Sequence, residues 1–483
     1  MTPTHRRRPV RRRALLVAVA LVAAVPAVAG PVPHAGATGA PASSWDPRIA
    51  DVVTEVERLR GLEFRHPVPV AVLGDAAFEK RFLGDDRPTR RDRKEWAQIQ
   101  AAFIAMGLQE EPVGLGSVAR ASSSNVVGFY DPRRKTIVVR GSQFGDPGTR
   151  VTLAHELTHA LQDQHFDLVA LQKRGAKADS LFPKALVEGD ATDVGQRYYA
   201  ALRAEERAAA DASDDAVQAE ASALPPFLET VFYAPYALGI GSVGVLRALQ
   251  GRAGLDAVMR NPPTRDLGLV DPTALLDPPA WVSVRAPRLR DGDIAQGDPF
   301  PLDAVGLYLV LAEHLDWTDA LDVAERWGGD QTVAFTRAGR PCVTTRIAGR
   351  RGADDAGVIG DAFGRWAAAG GTETVVTRDA DTVRITLCDP PDRRSAPAPA
   401  PPAQALVGLS IRNGLVEQAL EAGKGLDAAK CTADRLVRLP ETGALVGSVD
   451  SPTSDLDDDL TAAFQRAAGA RFAALLRACA AGS

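Results

Sequence analysis

Residues 155 to 159 read His155-Glu156-Leu157-Thr158-His159, which sets two imidazoles four residues apart with a carboxylate beside the first. These are the residue types that hold a metal ion and draw a proton from water next to it. At 3.6 residues per turn, His155 and His159 fall about 40° apart around a helix, so both rings reach one ion. Glu156 falls about 100° from His155, at the edge of that face, where it serves as a base rather than a ligand. The chemistry this suggests is metal-assisted hydrolysis of an amide, in which zinc lowers the pKa of a water to about 7 and polarises the carbonyl under attack. The plain alternative is a helix whose histidines are ordinary surface or core residues.

A catalytic zinc ion takes three protein ligands and keeps one position open, so the motif is one ligand short. Two residues are candidates. Glu188 lies in Ala185-Leu186-Val187-Glu188-Gly189-Asp190-Ala191-Thr192, where Gly189 and Ala191 would let two helices approach closely. His165 stands ten residues after His155, but to return to the ion it needs the helix to break near position 162, and Gln162 stands there instead of glycine. A continuing helix carries His165 roughly 9 Å along the axis from His159. Glu188 is therefore the preferred third ligand, with His165 as the alternative, and one Zn2+ per chain is expected.

The elements around the motif must position it. Leu153, Leu157, Ala160 and Leu161 form an apolar stripe behind the histidine face. Just upstream, 126–130 and 136–140 read as a hairpin over Asp131-Pro132. Ile49, Val52, Val53, Val56 and Leu59 recur with helical period, Pro67 to Val72 reads as a strand, and Trp96, Ile99 and Phe103 mark another helix. From 188 to Trp327 the pattern is mainly helical, short strands and a helix follow to Pro391, and 404–483 reads as all-helical. The alanine- and acid-rich stretch 204–223 fits a solvated helix or a loop beside the site.

The runs Gly128-Phe129-Tyr130-Asp131-Pro132, Thr136-Ile137-Val138-Val139-Arg140, Leu153 through Phe166, and Glu188-Gly189-Asp190-Ala191 resemble those of exported bacterial gluzincins, zinc metallopeptidases with two histidines and a glutamate on the metal. The resemblance extends more weakly to Pro235-Tyr236-Ala237-Leu238-Gly239, Asn261-Pro262-Pro263-Thr264 and Trp327-Gly328-Gly329-Asp330, and spans most of residues 45–392. It implies an α+β, zincin-like fold with a mixed sheet, an active-site helix and a mainly helical subdomain. It implies His155, His159 and Glu188 as metal ligands and Glu156 as general base. In zincins the hairpin strand is commonly a sheet edge on which an extended peptide or protein substrate lies as a further strand. Tyr236, with Tyr233 behind it, is the candidate donor to the tetrahedral oxyanion, the alternative being an aromatic packed in the core. Thermolysin-like relatives carry an aspartate four residues after the glutamate ligand to orient a histidine; Thr192 stands there, which leaves Asp190 or Asp193 for that role. The lone histidines His66 and His314 read as structural.

The amino terminus has a basic block, 5–13, an apolar run from Ala14 to Val25, and small residues at 27–29 and 35–37, the pattern of a signal peptide over 1–37. No later segment is expected to be long and apolar enough for a membrane helix. The chain therefore reads as secreted or held in the cell envelope. The four cysteines agree with an oxidising compartment, and pairing within each side of a proline-rich break gives Cys342–Cys388 and Cys431–Cys479. That break, 393–403, reads as an extended linker between a domain at 45–392 and a small helical module at 404–483. A chain of 483 residues with 45% hydrophobic content can bury a large core, and a net charge of −5 favours neither nucleic acid nor an anionic membrane. The competing function is an envelope binding protein or latent peptidase that keeps the fold without turnover. An intact Glu156 argues against it, because binding alone has no need of a base.

Overall fold

The computed structural model describes residues 44–483 except 85–87, 125, 142, 220–223, 371–372, 390–402, 451–457 and 481–483. The expected signal peptide and all but the last residue of the expected linker lie outside the described residues. The fold is α+β, with two separate sheets and many helices among the described residues.

Helix α1 (Ala50–Arg60) buries Val52, Val53, Val56 and Leu59, the residues whose spacing predicts it. Strand β1 (Val70–Leu73) is followed by α2 (Asp75–Leu83), α3 (Arg90–Ala105) and α4 (Leu115–Ser124). Trp96, Ile99 and Phe103 are all on the buried side of α3. The hairpin forms as expected from β2 (Gly128–Asp131) and β3 (Thr136–Arg140), and the sheet order β1-β3-β2 leaves β2 at an edge. Asp131, fully buried, closes the turn by accepting the backbone N–H of Arg133 (3.1 Å) and Arg134 (3.0 Å).

Helix α5 (Pro147–Phe166) carries the HExxH motif. Asp146 caps its start by accepting Thr149 N–H at 2.7 Å, with Pro147 in the first turn, where no N–H is needed. Asp167, at φ 56°, ends it and caps α6 (Leu168–Ala178) through Ala170 N–H. Leu153, Leu157 and Leu161 are buried against α1, β3 and Val194. Each such side chain contributes roughly 2 kcal/mol of hydrophobic stabilisation, so this contact seats α5 on the first sheet.

Helices α7 (Phe182–Ala201), α8 (Ala204–Ala219) and α9 (Pro226–Arg260) follow. The acid-rich stretch is thus helical through Ala219, and α8 lies against α5. Contrary to the sequence expectation, α9 is by length and composition apolar enough to cross a membrane, with a mean hydropathy of 1.2 in its most apolar window. Of that window 56% is buried, because α9 is packed between α7 and α14 (Ala403–Glu421), as a core helix is.

The remaining elements are α10 (Leu267–Val270), β4 (Ile294–Ala295), α11 (Asp303–Ala312), α12 (Trp317–Ala324), β5 (Trp327–Arg337), β6 (Arg340–Gly349), α13 (Ala353–Gly370), β7 (Glu373–Asp379), β8 (Thr382–Cys388), then α14, α15 (Leu426–Leu436), α16 (Pro440–Gly447) and α17 (Asp458–Ala480). The second sheet has the order β4-β5-β6-β8-β7 with antiparallel neighbours. Both disulfides pair as the sequence suggests: Cys342–Cys388 bridges facing residues of β6 and β8, and Cys431–Cys479 joins α15 to α17. They fit an extracellular or envelope protein.

The stretch expected as a separate helical module shares its core with the rest. Leu406, Leu409 and Val416 of α14 belong to the same buried cluster as α9 and α11. Arg412, fully buried in α14, donates to Glu325 and Asp434 (2.8 Å each), and Tyr308 OH reaches Ala405 O at 2.7 Å.

Candidate active site

Three elements converge on the motif. His155 and His159 project from α5, Glu188 from α7, and Tyr236 from α9. The Nε2 atoms of the two histidines are 3.0 Å apart, and Glu188 Oε2 lies 3.2 Å from that of His159 and 3.6 Å from that of His155. A tetrahedral zinc ion with bonds of about 2.05 Å holds its ligand atoms about 3.3 Å from each other, so the triangle has the size the ion requires. Glu188 Oε2 is moreover buried and, among the described residues, has no well-directed hydrogen bond beyond its close contacts with the two histidines, so it is aimed where a cation would sit. His155, Glu156 and His159 also form a group with all ligand atoms within 4.8 Å of one another.

Gln162 decides which nitrogen of His159 would face an ion held here. Its amide nitrogen donates to Val187 O (3.0 Å) and to Asp190 Oδ2 (2.8 Å), which turns its oxygen toward His159 Nδ1 at 3.0 Å. In the neutral ring Nδ1 therefore carries the proton, which leaves the Nε2 lone pair for a metal ion. Asp190 in turn accepts from Arg60 at 2.8 Å, and Arg60 also reaches Asp256 at 2.6 Å. Of the two aspartates weighed for orienting a histidine, Asp190 thus acts through Gln162, while Asp193 pairs with Arg197 and Arg247. A buried ion pair such as Arg60–Asp190 is a device for orientation more than for stability.

His165 is turned away: its Nε2 meets Glu63 O at 2.9 Å, which ties the end of α5 to the chain after α1. Gly189 does allow a close approach, but the helix it admits is α9 rather than α5. A Cβ on Gly189 would lie 2.1 Å from the carbonyl carbon of Gly239, and one on Gly239 would lie 1.9 Å from Ala185 O.

Glu156, buried, accepts the backbone N–H of Tyr130 at 2.6 Å. Arg140 N–H donates to Val127 O, so by the antiparallel alternation Phe129 and Asp131 pair with β3 while Gly128 and Tyr130 face the open edge. The base and the free edge of β2 are therefore joined by one hydrogen bond. Tyr130 OH is held by Asp163 at 2.7 Å.

The electrostatics follow from crowding. Burial opposes charge on His159, yet Glu188 and Glu156 beside it hold its pKa up at about 9. Burial works against ionised Glu188 too, but His159, His155 and Lys184 draw its pKa well below the ordinary value. Burial raises that of Glu156, with Glu188 adding and the histidines subtracting. Tyr236, stacked on His155 with ring centroids 6.3 Å apart, is raised well above the ordinary phenol by burial and by Glu188 and Glu156, so it stays protonated.

Sequence reasoning missed three participants. Tyr130 contributes through its backbone, which side-chain identity cannot reveal. Gln162 drew notice only as a glycine that was lacking. Lys184, one helical turn before Glu188 and lowered in pKa by burial, had a visible signal in its i, i+4 spacing from that glutamate. Comparison with protein-family profiles, curated proteins and solved structures gives no match for this chain.

Proposed function

We propose that this protein is a zinc-dependent peptidase of gluzincin type with a zincin-like fold, hydrolysing amide bonds in a peptide or protein outside the cytoplasm. The observation that carries the reading is the triangle of His155 Nε2, His159 Nε2 and Glu188 Oε2, with sides of 3.0 to 3.6 Å, alongside a buried Glu156. His155, His159 and Glu188 would hold the ion, which when bound supplies Lewis acidity to water and to the scissile carbonyl. Glu156 takes the proton of the attacking water and returns it to the leaving amine; the Tyr130 N–H on Oε2 fixes its orientation and leaves Oε1 to work. Tyr236, kept protonated, donates to the developing oxyanion. The edge of β2 that pairs with no strand among the described residues suits an extended substrate adding a further strand.

The test combines metal analysis with peptide cleavage. The mature chain should bind about one zinc and cut a mixed peptide library in a chelator-sensitive way. Glu156→Gln should keep the zinc and lose turnover by about 10² or more. Glu188→Ala should lose the zinc, while His165→Ala keeps it. Full activity in Glu156→Gln would exclude Glu156 as the base and favour a different chemistry; zinc retained by Glu188→Ala but lost by His165→Ala would reverse the ligand assignment.

A further inference from the structure

The second sheet has two unlike faces. Val343, Ile347, Val383, Ile385 and Leu387 are buried with Ile359, Phe363 and Trp366 of α13. On the other face, Arg346 of β6 and Arg384 of β8 are directly opposite each other, flanked by the facing pair Thr344 and Thr386. Two like charges at facing positions of an antiparallel pair repel, and sheets normally avoid them. Here the repulsion is compounded, since burial and then Arg346, Arg290 and Arg337 all depress the pKa of Arg384. The acid that offsets this, Asp293, is already claimed by Arg337, which grips it with Nε and Nη2 at 2.9 Å each. Glu373, further along the same face, is held by Arg340.

The pair is also ordered. Arg384 donates from Nε to Thr344 Oγ1 at 3.3 Å and from Nη2 to Arg288 O, and Thr386 Oγ1 donates to Thr344 Oγ1 at 3.0 Å. The buried Nε of Arg346 has no hydrogen-bond partner among the described residues. Thr377 and Val375 of β7, beside Arg384 and Thr386 in register, are exposed, so the face is open to solvent on that side.

We propose that Arg346 and Arg384, with Thr344 and Thr386, form an anion site that takes a phosphate group. The Arg346 guanidinium, the N–H groups that Arg384 does not already donate and the Thr344 hydroxyl supply donors of the kind that a tetrahedral, doubly charged oxyanion accepts, and the anion would cancel the repulsion that the bare pair leaves in place. The site stands on its own side of the second sheet and rests on neither the metal nor the proposed peptidase activity.

Calorimetric titration of the full chain with inorganic phosphate, at ionic strength matched with chloride, is the test. Wild type should bind saturably, and Arg346→Gln and Arg384→Gln should each weaken binding by at least about tenfold. Arg378→Gln, on the opposite face of the sheet, should leave it unchanged. Thermal unfolding in chloride shows whether the variants fold: Arg346→Gln should melt no lower than wild type, because it removes a like-charge contact. No saturable phosphate binding by wild type, or binding that survives Arg346→Gln, would overturn the proposal. Malonate bound as tightly as phosphate would overturn the assignment to a phosphate group.

Discussion

Gln162 occupies the position where a metzincin helix would break, and in this chain it does the reverse: it stays helical and locks His159 from behind. Its amide spans His159 Nδ1, Val187 O and Asp190 Oδ2, so it joins α5 to α7, the helices that carry the proposed ligands, as well as orienting the His159 ring. Removing a partner of this kind typically costs 10- to 100-fold in metal affinity. Gln162→Leu should show that loss in competition with a chromophoric chelator, and the fold should survive, because Asp190 keeps Arg60. A second prediction concerns Glu313, pushed up to about 8 by burial, with Oε1 lacking a hydrogen-bond partner among the described residues. The unfolded chain releases this proton near 4.5 and the folded chain holds it to about 8. Stability contributed by the neutral carboxyl is therefore complete below pH 4.5 and is lost as pH rises through about 8. Glu313→Gln should flatten that part of the pH dependence and stabilise the protein at pH 8 by an amount on the order of a few kcal/mol, read from urea midpoints across the range.

Between helices, the contact that places the site is the crossing of α7 and α9 at Gly189 and Gly239. Backbone touches backbone there, so no side chain can be accommodated without moving a helix. Glu188 is adjacent to one glycine and Tyr236 is three residues from the other, so the crossing sets how far both functional groups stand from α5. Gly239→Ala should therefore destabilise the fold by roughly 1–3 kcal/mol and weaken zinc binding at the same time. Gly414→Ala, where an added Cβ meets nothing within 4 Å, is the matched control and should do neither. If Gly239→Ala lowered stability with zinc affinity untouched, the crossing would be structural alone.

At the scale of the whole molecule, the carboxy-terminal helices are part of what holds α9, and through α9 the site. Ser410 Oγ donates to Ala237 O at 3.0 Å, Arg247 reaches Glu417 at 2.9 Å, and Arg412 gathers Glu325 and Asp434. Cutting the chain at an engineered protease site between 394 and 401 should leave residues 403–483 bound to the remainder on a sizing column under non-reducing conditions. Adding reductant should not release them, since Cys431–Cys479 lies within the fragment and Cys342–Cys388 outside it. Release of a free helical fragment would restore the reading of an independent module.

The sequence alone was enough for whatever depends on spacing along one element. The i, i+4 histidines, the apolar stripe of Leu153, Leu157 and Leu161, the hairpin over Asp131-Pro132 and the two cysteine pairs are all local or nearly so, and periodicity exposes them. Glu188 stood out by its context, and its convergence with the histidines needed α7 laid against α5. What depends on partners distant in sequence was not legible. Glu63 O, which takes up His165, is 102 residues away, Asp190 and Arg60 are 130 apart, and Arg346 and Arg384 meet only through strand register. Nor could composition tell that α9, apolar enough for a bilayer, is surrounded by protein, because apolar faces are blind to what covers them until the chain has packed.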